Sequence, residues 1–462
     1  MKNENSRLIC SRRSLLKGAL AASLFGVMRG GELQAAPGAA PPVLWVQLFA
    51  VGGWDQMLFC DPKLGPRVSS SGGFFDISQL KQVASIPYVD AYDAANPTIR
   101  PVDPFFQEFG DRLLVINGVD TTTNNHDVGT RYWMSGSLLE GFPIFAAQVA
   151  GVLGQGKPMP LVDISGYDDC GGLVAPVRLD YIGVPKISQL RHPNQPPPAE
   201  WSQVSMQSTV TATELLADGP LARVHAAQQA RLLRLKQNLG LPSHATALAA
   251  WEKARAAVPG LANLDIPSLG SNSVESAKAL ATMGIRAYGA GLATTMTVAA
   301  GSPDLDSHGI DDYRHLEQLG VVFDLARHIA NTADAEPKPV PTIIVMSSDF
   351  GRTPVRESAG SGHWPVASMM VLQNNAAKAL NILPSGKVIG GTTGTPEGPN
   401  DEQTVLRVRK INPATHAFDD AGTALSPAHV FRALRRIAGV ADDNILRSFP
   451  INIDGGELDL LA

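Results

Sequence analysis

The sequence predicts an α/β fold built on a mostly parallel sheet. Three observations carry this reading. Short apolar runs recur along the chain, at Val43–Phe49, Leu113–Ile116, Leu161–Ile164, Ala293–Val298 and Pro341–Met346, with the look of buried strands. Longer stretches with apolar residues near helical spacing lie between them. Four of the runs break into a Gly-rich or polar turn carrying an Asp or a His, and ligands bind at the C-terminal strand edge of such sheets.

The elements follow in order. Residues 1–36 read as a twin-arginine export signal: Ser11-Arg12-Arg13-Ser14-Leu15-Leu16-Lys17, a short apolar segment Gly18–Val27, and a small-residue cleavage site near Ala35-Ala36. A Pro/Ala linker precedes the first strand, Val43–Phe49. That strand runs into Val51-Gly52-Gly53-Trp54-Asp55, where the glycines allow a tight turn and the acid emerges just beyond. Residues 61–105 are Pro-, Ser- and Gly-rich and read as irregular. The strand Leu113–Ile116 leads into the polar run Asn117–His126, and a helix begins near Gly129. Phe142–Leu153 reads as a helix, Leu161–Ile164 as a strand, and 170–200 as a Pro-containing loop region.

From about 205 to 290 the chain turns Ala/Leu/Arg-rich with helical periodicity, a helical insertion or lid. Ala293–Val298 is again a strand, followed by Asp306-Ser-His308. Tyr313–Thr332 is an amphipathic helix burying Leu316, Leu319, Val322, Phe323, Ala326 and Ile329. The strand Pro341–Met346 ends in Ser-Ser-Asp349. A polar loop to His363 and a further strand, Val366–Leu372, come next. Lys387–Gly394 is a Gly-rich turn and Thr404–Val408 an edge strand. Ser426 caps a last helix whose first position is Pro427.

Composition bounds the function. The chain has 462 residues and a net charge of −5, spread without a basic stripe or nucleic-acid motif, so nucleic acid is not a partner. Its length suits one large α/β domain with an insertion, at 43–462, or two domains. No stretch after the signal is long and apolar enough to span a membrane. Three cysteines are present. Cys10 lies in the signal. In an oxidising compartment Cys60 and Cys170 either pair or stay free. Export implies a periplasmic or secreted protein.

On a mostly parallel sheet the strand ends share one edge. Asp55, the Thr121–His126 run, Asp306 with His308, and Asp349 with His363 then converge. Carboxylate oxygens with imidazole nitrogens suit zinc or manganese, with magnesium a third option. A hydroxyl at a helix N-terminus, from Thr121, Thr122 or Thr123, is placed to attack an anionic ester. Arg352 and Arg131 are the cations to hold the anion. His126 is either a ligand or a supporting group.

These motifs resemble the bacterial exported proteins grouped as domain of unknown function 1501, allied to the alkaline phosphatase and sulfatase superfamily. The resemblance covers nearly the whole chain after the signal. It rests on Gly52-Gly53-Trp54-Asp55, Asn125-His126 with Tyr132-Trp133, Asp306-Ser-His308, Asp349-Phe-Gly-Arg-Thr-Pro354, Gly362-His363-Trp364-Pro365, Val388-Ile-Gly-Gly391 and the terminal Leu425-Ser-Pro. It implies an alkaline phosphatase-like three-layer sandwich and hydrolysis of phosphate or sulfate esters. Asp55 and Asp349 would serve one metal, and Asp306, His308 and His363 the other. The chain carries Asn125 where the family has Ser, Gly362 where it has Asp, and Phe350 where the superfamily's phosphatases have His. One of the three threonines or a metal-activated water would then attack. A second function fits the same departures: a non-catalytic exported protein that keeps the fold and binds a periplasmic protein partner.

Overall fold

The structure, a computed structural model, describes residues 42–63, 80–92, 98–179, 187, 194, 214–238, 240, 242–261, 263–265, 272–300, 305–306, 308, 312–357, 360–393 and 406–462. The export signal lies outside the described residues. Ala40–Ala462 forms one compact unit.

The main sheet contains β1 (Leu44–Ala50), β4 (Leu113–Asp120), β5 (Met159–Ile164), β6 (Pro176–Arg178), β7 (Ala293–Ala300), β8 (Thr342–Ser348), β11 (Val366–Gln373) and β12 (Lys387–Gly390). Their spatial order is β12-β4-β11-β8-β1-β7-β5-β6. Only β11 runs antiparallel to its neighbours β4 and β8. All seven residues of β1 are buried, as a strand covered on both faces requires. Leu44, Val46, Leu48 and Ala50 enter one apolar layer; Trp45 and Phe49 enter the other. The polar Gln47 is buried with partners: it accepts from the Ala146 N–H and donates to the Met134 carbonyl, which removes the cost of its desolvation.

Helices cover both faces. One layer packs α1 (Val102–Phe109), α6 (Ser273–Gly289) and α7 (Asp312–Ala335) on the sheet. The other packs α2 (His126–Ser135), α3 (Phe145–Leu153) and α9 (Pro427–Ile437), with a short α8 (Asn375–Lys378) at its margin. All six apolar residues assigned to the inner face of α7 are buried. Ser426 and Pro427 sit at the N-cap and first turn of α9 as the sequence predicts.

Three expectations change, and one open alternative is decided. Within 61–105 the structure places a hairpin, β2 (Leu80–Val83) with β3 (Ile86–Val89), and the start of α1. Its weak periodicity reflects a four-residue pairing too short to show one. Within 170–200, β6 extends the sheet edge. The helical insertion narrows to α4 (Asp218–Gln237) and α5 (Pro242–Leu261). These two are joined by Lys236–Glu252 and by Arg255 to Gln228. The α6 helix belongs to the core instead, because Leu280, Ala281, Met283, Ile285 and Ala287 are buried against the sheet. Finally, Cys60 and Cys170 are free buried thiols. They lie in the apolar layers on opposite faces of the sheet, so they cannot reach bonding distance. No helix among the described residues is long and apolar enough to cross a membrane.

One buried histidine sets a pH response. His429 on α9 is 2% exposed. Its Nδ1 accepts from the Ser426 N–H (3.1 Å), and its Nε2–H donates to the Asp454 carbonyl (2.8 Å). The first contact requires the neutral ring, since a protonated Nδ1 cannot accept. Burial holds its pKa below the ordinary value, against the pull of Asp454. The unfolded chain therefore binds the extra proton first, below about pH 6.5. Stability is fully present above that value and falls as pH drops toward the depressed folded pKa. The loss of Tm between about pH 7 and about pH 5 should be smaller in His429→Gln than in the native protein. Identical losses would remove His429 as its source.

Candidate metal centre

The C-terminal ends of β1, β7 and β8 are level, since Ala50 stands opposite both Ala300 and Ser348. The start of the antiparallel β11 lies at the same edge, with Val366 opposite Asp120 at the end of β4. Reversal of that strand matters for His363. The chain leaves β8 at Asp349 and forms a hairpin, β9 (Gly351–Glu357) with β10 (Gly360–Trp364). This returns His363 to the edge opposite Arg352 before β11 begins.

The β1 turn is locked to the β8 end. Ser348 Oγ accepts from the N–H groups of Gly53 and Trp54, both at 3.0 Å. Gly52 and Gly53 have φ of +106° and +82°, where a side chain is strained. A Cβ on Gly52 would lie 2.4 Å from the Asp306 nitrogen, and one on Gly53 would lie 2.5 Å from the Phe350 ring. The two glycines thus let β1 approach Asp306 and Phe350 closely.

Three predicted residues bring metal-ligating atoms together. Donor atoms of His126, Asp306 and His363 lie within 4.8 Å of one another. His126 Nε2 is 3.7 Å from Asp306 Oδ2, and His363 Nε2 is 3.4 Å from Asp306 Oδ1. The other nitrogen of each ring is held from behind. His126 Nδ1 is 2.5 Å from Asp349 Oδ2, and His363 Nδ1 is 2.8 Å from the Asn124 carbonyl. With Nδ1–H donating in both rings, each Nε2 lone pair faces Asp306, the tautomer that outer acceptors impose on metal-binding imidazoles. Phe350 is fully buried, and its ring packs against both imidazoles, with centroids 4.7 and 4.1 Å away. It fixes ring orientation without supplying a ligand atom.

Charge acts on the two imidazoles in opposite directions. Hydrogen bonding to Asp349 is the largest influence on His126 and raises its pKa, against burial. Burial is the largest influence on His363 and lowers its pKa. Asp306 is pulled up by burial, but the Arg352 guanidinium, then His363 and His308, outweigh this and leave it below the ordinary carboxylate value. It is an anion at neutral pH. His308, also assigned to the site, stands at its exposed rim with Nε2 3.7 Å from Asp306 Oδ1.

Other predicted site residues take different roles. Asp55 is 1% exposed and turns its carboxylate back to accept from the Met57 N–H, capping a short 3-10 turn. It lies outside the trio because the tight Gly-Gly turn points it into the core, where its N–H donates to His315 Nε2. Asp349 stands against His126 Nδ1 and is not one of the three clustered groups. Arg352 is fully buried. It donates to the carbonyls of Gly52, Gly53, Leu305 and Ser361 and to Asp306 Oδ1. Fully buried and held by these acceptors, it positions Asp306 and is closed to a substrate anion.

The helix α2 is capped by Asn125, whose side chain accepts from the Val128 N–H at 3.1 Å, and not by a threonine. Thr121 is buried, with its hydroxyl 2.7 Å from the carbonyls of Thr123 and Pro365. Thr122 adopts a φ of +54° and bonds its Oγ to the Thr121 carbonyl. Thr123 Oγ accepts from the Asn125 N–H. Sequence reasoning missed Ser348, Phe350 and the Asn124 carbonyl. Two of these stand beside Asp349 in the motif, but a serine and a phenylalanine carry no metal-site signal of their own. A backbone carbonyl carries none at all. No protein-family model matches the chain, and no curated protein matches it.

Proposed function

We propose that the chain is an exported, metal-dependent hydrolase of phosphate or sulfate esters with an alkaline phosphatase-like fold. The observation that carries this reading is the pair of imidazoles whose Nδ1 atoms are tied to Asp349 and Asn124 while both Nε2 atoms face Asp306. Two neutral imidazoles and one carboxylate fit zinc or manganese. When bound, such an ion supplies positive charge to the ester oxygens. Asp349 keeps His126 in its tautomer. Arg352 holds Asp306 ionised and in place. Thr121 is spent on backbone carbonyls, so Thr123 is the hydroxyl that fits the attacking role, with water the other candidate.

Asn125 favours a second reading. An amide caps α2 where the resembling family has a serine, and its oxygen is spent on the helix N–H. On that reading the protein keeps the ion as part of a binding surface and turns over nothing. The test is elemental analysis of purified protein together with a panel of aryl phosphates and sulfates. A retained stoichiometric divalent ion and chelator-sensitive turnover are expected. Retained ion with no turnover would favour the binding protein. Absence of any ion would remove the hydrolase.

A further inference from the structure

A cleft of about 440 Å³ opens at the C-terminal ends of β1 and β7. Phe49, Val51 and Ala299, at the ends of β1 and β7, form its apolar floor, and Asp127, Arg131 and Tyr167 supply polar walls. Two of its lining residues connect to the candidate centre through the chain. Asp127 directly follows His126 on α2. The Val51 carbonyl accepts from the Leu305 N–H at 2.7 Å, one residue before Asp306.

We propose that this cleft receives the organic part of the ester and selects compact groups bearing one carboxylate, held by Arg131 and the Tyr167 hydroxyl. The inference rests on the hydrolase reading for its substrate but not for its binding chemistry. Arg131 follows His126 by five positions, a rise of about 7.5 Å along the helix. The same five positions turn about 140° around the helix axis, so Arg131 faces the cleft with Asp127 while His126 faces Asp349. Arg131 is the cation that Arg352 cannot be. Its side chain is 21% exposed, and one Nη donates to the Leu138 carbonyl at 3.2 Å. Its other Nη lies 3.5 Å from the Glu140 carboxylate, which is 89% exposed. An exposed pair of that kind is weak, and a ligand carboxylate can take its place with bidentate geometry. Tyr167 sits close by: burial raises its phenol above the ordinary pKa, Asp169 adds to this, and Arg131 pulls the other way. Asp127 at the mouth is exposed and acidic, which disfavours a ligand with further negative charge.

The test compares 4-carboxyphenyl phosphate with p-tolyl phosphate, and follows 4-hydroxybenzoate binding by calorimetry. The native protein should prefer the carboxylated ester by about tenfold or more in kcat/KM. In Arg131→Gln that ratio should collapse toward unity with metal content intact. Tyr167→Phe, which removes one hydroxyl, should lower it in the same direction and carries the test if the arginine variant does not fold. Equal turnover of the two esters by the native protein would overturn the cleft assignment and leave the hydrolase standing. No turnover, with 4-hydroxybenzoate bound by the native protein and not by Arg131→Gln, would overturn the hydrolase and uphold the cleft. Neither turnover nor binding would overturn the cleft as well.

Discussion

Replacing Asp306 with alanine should lower affinity for zinc by more than about 100-fold, beyond the 10–100-fold loss usual for an outer partner of a ligand. The reason is geometric. Asp306 is the member of the trio that both imidazoles face, at 3.7 and 3.4 Å. It also brings the only negative charge among the three ligands. Without it, two neutral rings remain. Asp306→Asn keeps an acceptor for Arg352 while removing that charge, and so separates lost ligation from lost packing. Asp349→Asn should cost about 10–100-fold, because His126 keeps its position while its tautomer is released. Competition against a chromophoric chelator measures all three. Native affinity in Asp306→Ala would eliminate the centre.

Substituting Arg352 by methionine should destabilise the protein by roughly 3–5 kcal/mol, the cost of stranding a buried partner network. The carbonyls of Gly52, Gly53, Leu305 and Ser361 each lose a donor in a place that the side chain had closed to water. These groups come from the β1 turn, the Asp306 segment and the β10 strand, so one guanidinium ties three parts of the site together. Lysine should not rescue it, since an ammonium cannot match the planar fork. Denaturant titration gives the free energy directly. A loss under about 1 kcal/mol, the range of an ordinary surface pair, would show that the clamp carries no weight.

Much of the fold could be read from residue patterns. The strands at Val43–Phe49, Leu113–Ile116, Ala293–Val298 and Pro341–Met346 are found within a few residues of those bounds. Their apolar runs are long enough to demand cover on both faces. The α7 helix was equally legible, because its apolar spacing leaves one face to bury. The β2–β3 hairpin was not, being four residues per strand. Nor was the membership of α6, whose Ala-rich sequence matches that of α4 and α5. Which of several similar helices meets the sheet depends on where the chain arrives.

The site divides along the same line. Residue order alone was enough to nominate His126, Asp306, His363, Asp349 and Arg352, since acids and imidazoles just past strand ends are drawn to one rim. It could not say which of them would face a cation. That was settled by three-dimensional contacts: the Gly-Gly turn burying Asp55, the hairpin swinging His363 back, and Arg352 enclosed among carbonyls. Side-chain direction and burial arise from packing between distant segments, and a linear string of residues carries chemistry without direction.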